Sequence, residues 1–268
     1  MSAGHHENLL MLDAIAAKSG LRMVSPGLKT GFAVICLLLC VGAGDVVVGA
    51  AVACSMAGIL WRLGKVSLRR ILGLIKVPAA FLVVSCVVIL VEFTPAPMGF
   101  WQIPITHSRW LCLTEESLNH AAAVFFQALG AVFCLYFLSA TTPMPQLIDV
   151  LRRCHLPEIM IELMYLIYRY LFVLLDVQQK MTIAAGARLG YHGVRASVRT
   201  AGLISGGVLG SSFRRCGTNL DAMEARGYTG ELRFLSHTPG FRLRHGLFAL
   251  GYLTLLGLLI LVRKGNAL

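Results

Sequence analysis

Two short phrases in this 268-residue chain hold the residue types best suited to recognition chemistry. Residues 187–193 read ARLGYHG and residues 225–230 read ARGYTG. Allowing one inserted residue, Leu189, the phrases coincide: Ala187-Arg188, Gly190-Tyr191 and Gly193 stand against Ala225-Arg226, Gly227-Tyr228 and Gly230. A guanidinium is always charged, planar and rich in donors, so it makes forked bonds to a carboxylate or to the carbonyls at a helix end. This is the chemistry of a plug, not of bond making. Each phrase follows a helix-favouring stretch, QQKMTIAAGAR and TNLDAMEAR. Glycine past the last turn tolerates the left-handed conformation that ends a helix. The expectation is therefore an arginine at the exposed C-terminal end of each of two helices, where a cation also complements the helix dipole. One reading is an arginine that caps its own helix. The duplication favours another, two equivalent plugs for two equivalent sockets, with Ala187 and Ala225 small enough to let a partner approach the backbone.

Between the phrases lie Gly202, Gly206 and Gly210. Four-residue spacing would line them up as a smooth ridge where two helices cross closely. A glycine-rich loop is the alternative, and the apolar Leu203, Ile204, Val208 and Leu209 favour the helix.

Other reactive side chains make no constellation. Five of the eight cysteines (Cys36, Cys40, Cys54, Cys86 and Cys134) lie within apolar runs, and no CxxC pair occurs. They read as small packing residues in a reduced protein. Cys36 and Cys40 share a helix face, but two thiols without further ligands make a poor metal site. His5 and His6, beside Glu7, read as a solvated tail for the same reason. The chain has no GxSxG, no HExxH and no paired intramembrane carboxylates. Gly64-Lys65 is followed by Val66 and lacks the upstream glycine of a phosphate-binding loop. No catalytic and no metal-ligating residue is expected in this chain.

The elements that must position the arginines follow from composition. The chain is 57% hydrophobic and 14% charged, far from the roughly 45–50% and about 25% of soluble domains. The apolar residues come in blocks: Leu28 to Gly42, Val46 to Trp61, Ile71 to Val91, Ala121 to Ser139 and Leu247 to Val262. Each is near the length that crosses a hydrocarbon core of about 30 Å at a helical rise of about 1.5 Å per residue. The spans contain almost no ionisable groups, so a charged solute has no evident site within them.

Orientation follows from basic residues, 24 Lys and Arg against 13 Asp and Glu. Lys18, Arg22 and Lys29 precede the first span, and Arg62, Lys65, Arg69 and Arg70 join the second to the third, so both regions read as cytoplasmic. The 94–118 connection, with Trp101, Trp110, Glu115 and Glu116, reads as an outside loop with interfacial aromatics. The apolar segment 159–175 holds Glu162 and Arg169. If it crossed, the strongly basic block 177–244 would lie outside, so it reads as a helix at the cytoplasmic face. The result is five spans, N-terminus in and C-terminus out. Arg263 and Lys264 then sit on the outer side, against the rule. No zinc spacing or RNA-binding motif supports nucleic-acid binding as the reason for the net charge of +11.

The paired phrases resemble the coupling motifs of the transmembrane T component of energy-coupling factor (ECF) transporters. The stretch LSATTPMPQLIDVLRRCHLPEIMIELMYLIYRYLFVLLDVQQKMTIAAGARLGYHG and the start LDAIAAKSGLRMVSPGLKTGFAV resemble the cobalt branch, the CbiQ-type permease. The resemblance implies an all-α integral membrane protein of about five transmembrane helices with a cytoplasmic helical coupling module, in the inner membrane. Residues 1–140 would be the membrane unit, 141–244 the coupling module and 245–268 the last span. It implies two ATP-binding cassette ATPase subunits as partners, docked by the segments Ala187, Arg188, Leu189, Gly190 and Ala225, Arg226, Gly227. A small substrate-binding membrane subunit, to which metal capture belongs, is the third partner. ATP and Mg would be bound by the ATPase subunits and no cofactor by this chain. Nickel is the rival cargo. A membrane enzyme whose cytoplasmic arginines hold phosphate groups is the rival of another class.

Overall fold

The computed structural model describes residues 19–64, 66–90, 92–94, 101–106, 109–113, 115–228 and 243–265. His5, His6, Lys65 and Gly230 lie outside the described residues. After a 3-10 turn at Gly20–Met23 the order is α1 (Pro26–Ala43), α2 (Val46–Arg62), α3 (Leu68–Leu90), β1 (Glu92–Thr94), β2 (Trp101–Thr106), β3 (Arg109–Leu113), α4 (Glu115–Thr141), α5 (Met144–Arg153), α6 (Glu158–Ala187), α7 (Val194–Glu224) and α8 (Leu243–Gly265). Two compact units divide the described chain. Residues 19–143 with 243–265 form one and residues 144–228 the other.

In the first unit four helices, α1, α3, α4 and α8, are long and apolar enough to cross a membrane. α2, also apolar, has 17 residues, at the short end of the range that spans a bilayer. α1 starts with Pro26 in its first turn and ends at Gly44, which takes the left-handed conformation (φ 62°), the usual asymmetry of helix ends. Asp45 then caps α2, its carboxylate accepting from the Val47 N–H at 3.4 Å.

α2 is the centre of this unit, burying Val48, Gly49, Val52, Ala53, Met56 and Leu60. It crosses α4 where Gly49 meets the Phe126 backbone and Gly130 meets both Cys40 Sγ and the Gly49 carbonyl. A Cβ on Gly49 would stand 2.6 Å from the Phe126 carbonyl carbon. Small residues let membrane helices approach when lipid supplies no hydrophobic drive.

Polar groups inside the unit are matched to specific needs. Pro78 lies inside α3 and cannot donate to the Leu74 carbonyl one turn earlier. Tyr136 Oη on α4 donates to that carbonyl at 2.9 Å. Lys29 is 2% exposed. Its Nζ donates to the carbonyls of Thr141 at 2.8 Å and Leu21 at 3.4 Å, so a cation sits at the negative end of α4. Ser55 and Tyr252 share a hydrogen bond between α2 and α8. Arg263, near the end of α8, pairs with Asp45 at 3.4 Å, so the charge that sits awkwardly in the sequence-based topology has a carboxylate partner at the α1–α2 turn.

The helical class holds with one addition. β1, β2 and β3 form an antiparallel sheet of order β1-β3-β2 with Phe93 opposite Leu111 and Ile103 opposite Leu111, within the connection expected to be a loop. Its strands are rich in aromatic and β-branched residues, which fit a pleated surface.

In the second unit α5 buries Ile148 and Asp149, and Tyr165 Oη donates to Asp149 Oδ1 at 2.7 Å. The segment 159–175 is not a helix of its own but the first half of the 30-residue α6. Neither α6 nor α7 is among the candidate membrane spans, and the apolar part of α6 carries Glu162, Arg169 and Asp176. They are joined as an antiparallel hairpin: Met181 Sδ lies against Gly207, and Thr200 donates to the Gly190 carbonyl at 2.7 Å.

Candidate docking site

Both arginines occupy the same position of the same helix ending. At the end of α6 the Leu189 N–H bonds the Gly186 carbonyl (3.1 Å) and the Gly190 N–H bonds the Ala185 carbonyl (2.9 Å). At the end of α7 the Gly227 N–H bonds the Glu224 carbonyl (2.9 Å) and the Tyr228 N–H bonds the Met223 carbonyl (3.1 Å). This pair of bonds, spanning three and five residues, is the Schellman ending. In each case the arginine is the last residue before the left-handed position, which is held by Leu189 (φ 58°) and by Gly227 (φ 77°).

The register of the repeat is therefore corrected. Leu189 is not an insertion between Arg188 and its glycine. It stands where Gly227 stands, and Gly190 stands where Tyr228 stands. Gly190 is needed for space, not for a left-handed backbone. A Cβ there would stand 2.9 Å from both the Ala185 carbonyl oxygen and Thr200 Oγ1. The ungapped alignment counted outward from each arginine carried this signal; matching glycine to glycine hid it.

Neither guanidinium forms a hydrogen bond or ion pair within 4 Å among the described residues, and both side chains are exposed. The last carbonyls are bonded by backbone N–H groups instead, so the arginines are not needed as caps. Ala187 and Ala225 are exposed beside them. α7 has 31 residues, about 46 Å at the helical rise, so the two arginine ends lie at opposite ends of one long rod. The far end is pinned: Tyr228 Oη donates to Glu162 Oε2 at 3.1 Å, and partial desolvation with that carboxylate pushes the phenol pKa up. Burial, reinforced by the bond to Asp149, pushes Tyr165 the same way.

Gly202, Gly206 and Gly210 lie within α7, so the helical reading of this stretch is the observed one. Beyond the backbone of their own helix and their chain neighbours, no described atom stands within 4 Å of where their Cβ atoms would be. The close approach to α6 is made at Gly207, one position off the ridge. Among the described residues no three His, Cys, Asp or Glu side chains come together to hold a metal ion.

Fold and site define the class: an all-α integral membrane protein that carries a separate helical unit with paired, outward-directed arginine ends. The profile of the CbiQ cobalt transport protein family matches residues 17–236, which include both arginine ends, and the chain belongs to that family. It is 29% identical to the cobalt transport protein CbiQ of Salmonella typhimurium over 170 residues, 62% of this chain and 75% of that one. It is 30% identical to the CbiQ protein of Rhodobacter capsulatus over 175 residues, 65% of this chain and 66% of that one. A putative fused cobalt transport protein, CbiMQ, of Methanocorpusculum labreanum is 32% identical over 183 residues, covering 68% of this chain and 30% of the fusion.

Proposed function

We propose that this chain is the energy-coupling membrane subunit of an ATP-driven cobalt uptake transporter. It links two ATPase subunits, which bind ATP and Mg, to a small substrate-binding membrane subunit that captures the metal. The observation that carries this reading is the pair of equivalent arginine ends on one rod. Two identical plugs about 46 Å apart fit two copies of one socket, and a dimeric ATPase offers two copies. Segments 187–190 and 225–227 are the docking segments, on the cytoplasmic side. Relatives named as cobalt transport proteins support the cargo, and a relative whose name describes a fusion of two cobalt transport components supports assembly with a further membrane subunit. The chain itself performs no hydrolysis in this reading.

Co-purification of ATPase subunits with arginine variants tests it. A forked bond desolvated across an interface typically costs about 2–5 kcal/mol when one partner is truncated. Arg188→Ala and Arg226→Ala should each weaken recovery of the ATPases and lower metal uptake while the chain accumulates normally. Lysine, which keeps the charge and loses the fork, should rescue in part. Wild-type recovery with both arginines replaced would overturn the proposal.

A further inference from the structure

A second arginine cluster lies on the flank of the hairpin and shares Arg226 with the α7 ending. Arg169 and Tyr170 of α6, Ser211, Arg214, Arg215, Thr218 and Asn219 of α7, and Arg226 just beyond it line an open cleft of about 470 Å³. That volume is in the range of small-molecule sites, about 300–1,000 Å³. Four guanidiniums share it and no carboxylate lines it. None of the four is ion-paired or hydrogen-bonded through its side chain among the described residues. Of the acids nearby in sequence, Asp176 pairs with Lys180 at 2.7 Å and Glu162 accepts from Tyr228 at 3.1 Å, while Asp221 and Glu224 of α7 do not line the cleft.

Like charges in one cleft repel, and an anion removes the penalty. The neutral lining groups suit an oxygen-rich anion. Tyr170 and Ser211 offer hydroxyl donors, and Asn219 retains an amide hydrogen beyond its contact with Met223 Sδ. Thr218 is turned back to the Arg214 carbonyl and does not contribute a donor. Guanidinium forks match phosphate oxygens in pairs.

We propose that this cleft binds a phosphate group, carried by an anionic phospholipid headgroup or free in solution. A chain with several apolar membrane-crossing helices is always in contact with phospholipid, and basic residues near an anionic bilayer surface draw its headgroups. Because Arg226 serves both the cleft and the proposed docking segment, the variants leave Arg188 and Arg226 in place, and phosphate binding and ATPase docking are tested separately.

The experiment uses the purified full chain in a neutral detergent. Short-chain phosphatidylglycerol, short-chain phosphatidylcholine and inorganic phosphate are compared by thermal shift, and native mass spectrometry counts bound lipid. Phosphatidylglycerol should stabilise the wild type, and its retention should fall at least about tenfold in the Arg169→Gln, Arg214→Gln, Arg215→Gln triple variant. Stabilisation by phosphatidylglycerol without inorganic phosphate having an effect assigns the headgroup. An equal effect of inorganic phosphate assigns the free anion. A triple lysine variant, which keeps the charge, should retain an intermediate affinity and shows that loss in the glutamine variant is not misfolding. Equal retention of phosphatidylglycerol by the wild type and both triple variants would overturn the proposal, as would the absence of any effect of phosphatidylglycerol and phosphate on the wild type.

Discussion

Leu189 holds a left-handed backbone that L-residues other than glycine adopt at a cost of roughly 1–2 kcal/mol, and its side chain is 73% exposed. The strain is tolerated because the Schellman bonds on either side fix the turn, and strained backbone of this kind concentrates at functional surfaces. Leu189→Gly should therefore raise the stability of the hairpin by up to about 1 kcal/mol, and Gly227→Leu should lower it by about 1–2 kcal/mol. Thermal unfolding followed by circular dichroism checks both, and an effect of the same sign for the two would contradict the register assigned to the repeat. Tyr165 belongs to the same unit. Its phenol pKa is raised in the folded state by burial and by the bond to Asp149, so the protonated form is the one folding favours. Its contribution is complete below the unfolded value of about 10 and is lost as pH climbs through the higher folded value. Unfolding temperatures measured from pH 8 upward should fall in the alkaline range, and Tyr165→Phe should flatten that fall.

At the scale of elements, the crossing of α2 and α4 is the tightest joint in the membrane unit. Gly49→Val places a branched side chain against the Phe126 backbone, 2.6 Å from the Cβ position, and overpacking of this kind costs about 1–3 kcal/mol or more. Gly206→Val, in open space on α7, should stay within about 0.5 kcal/mol apart from helix propensity. Accumulation and thermal stability in detergent separate the two, and a Gly206 variant as damaged as the Gly49 variant would contradict the placement. Tyr136→Phe removes the donor that answers Pro78, and an orphaned buried carbonyl costs about 1–3 kcal/mol. The five apolar helices were legible because each is an unbroken block whose composition alone decides it. The crossing glycines were not, since Gly49 and Gly130 have no mutual spacing to read; they meet only because α2 and α4 pack. The 202/206/210 ridge was legible as a pattern, but a pattern does not say which face meets α6, and Gly207 does. The sheet escaped because its three short strands sit in a connection that charge parity alone had marked as a loop.

For the whole molecule, the Asp45–Arg263 pair places the α1–α2 turn and the end of α8 at the same end of the membrane unit. The topology proposed from charge, five crossings with a cytoplasmic N-terminus, would put both on the outer side and positions 188 and 226 on the inner side. Impermeant labelling of single cysteines in a cysteine-free background should reach position 263 from outside intact cells and should not reach position 195; labelling of position 195 would refute the topology. The two arginine phrases were visible before any fold was known, because they repeat. Their shared register was not, because only the backbone bonds show that Leu189 and Gly227 do the same job. The central claim is that the two arginine ends engage the same kind of partner. Single cysteines at the exposed positions 187 and 225, in the cysteine-free chain assembled with the proposed ATPase subunits, test this by short-range cross-linking. The account predicts that both positions join to ATPase subunits, and that a cysteine at position 205, on the open face of α7, does not. Cross-linking to ATPase at neither 187 nor 225, in an assembly that still contains the ATPases, would contradict it.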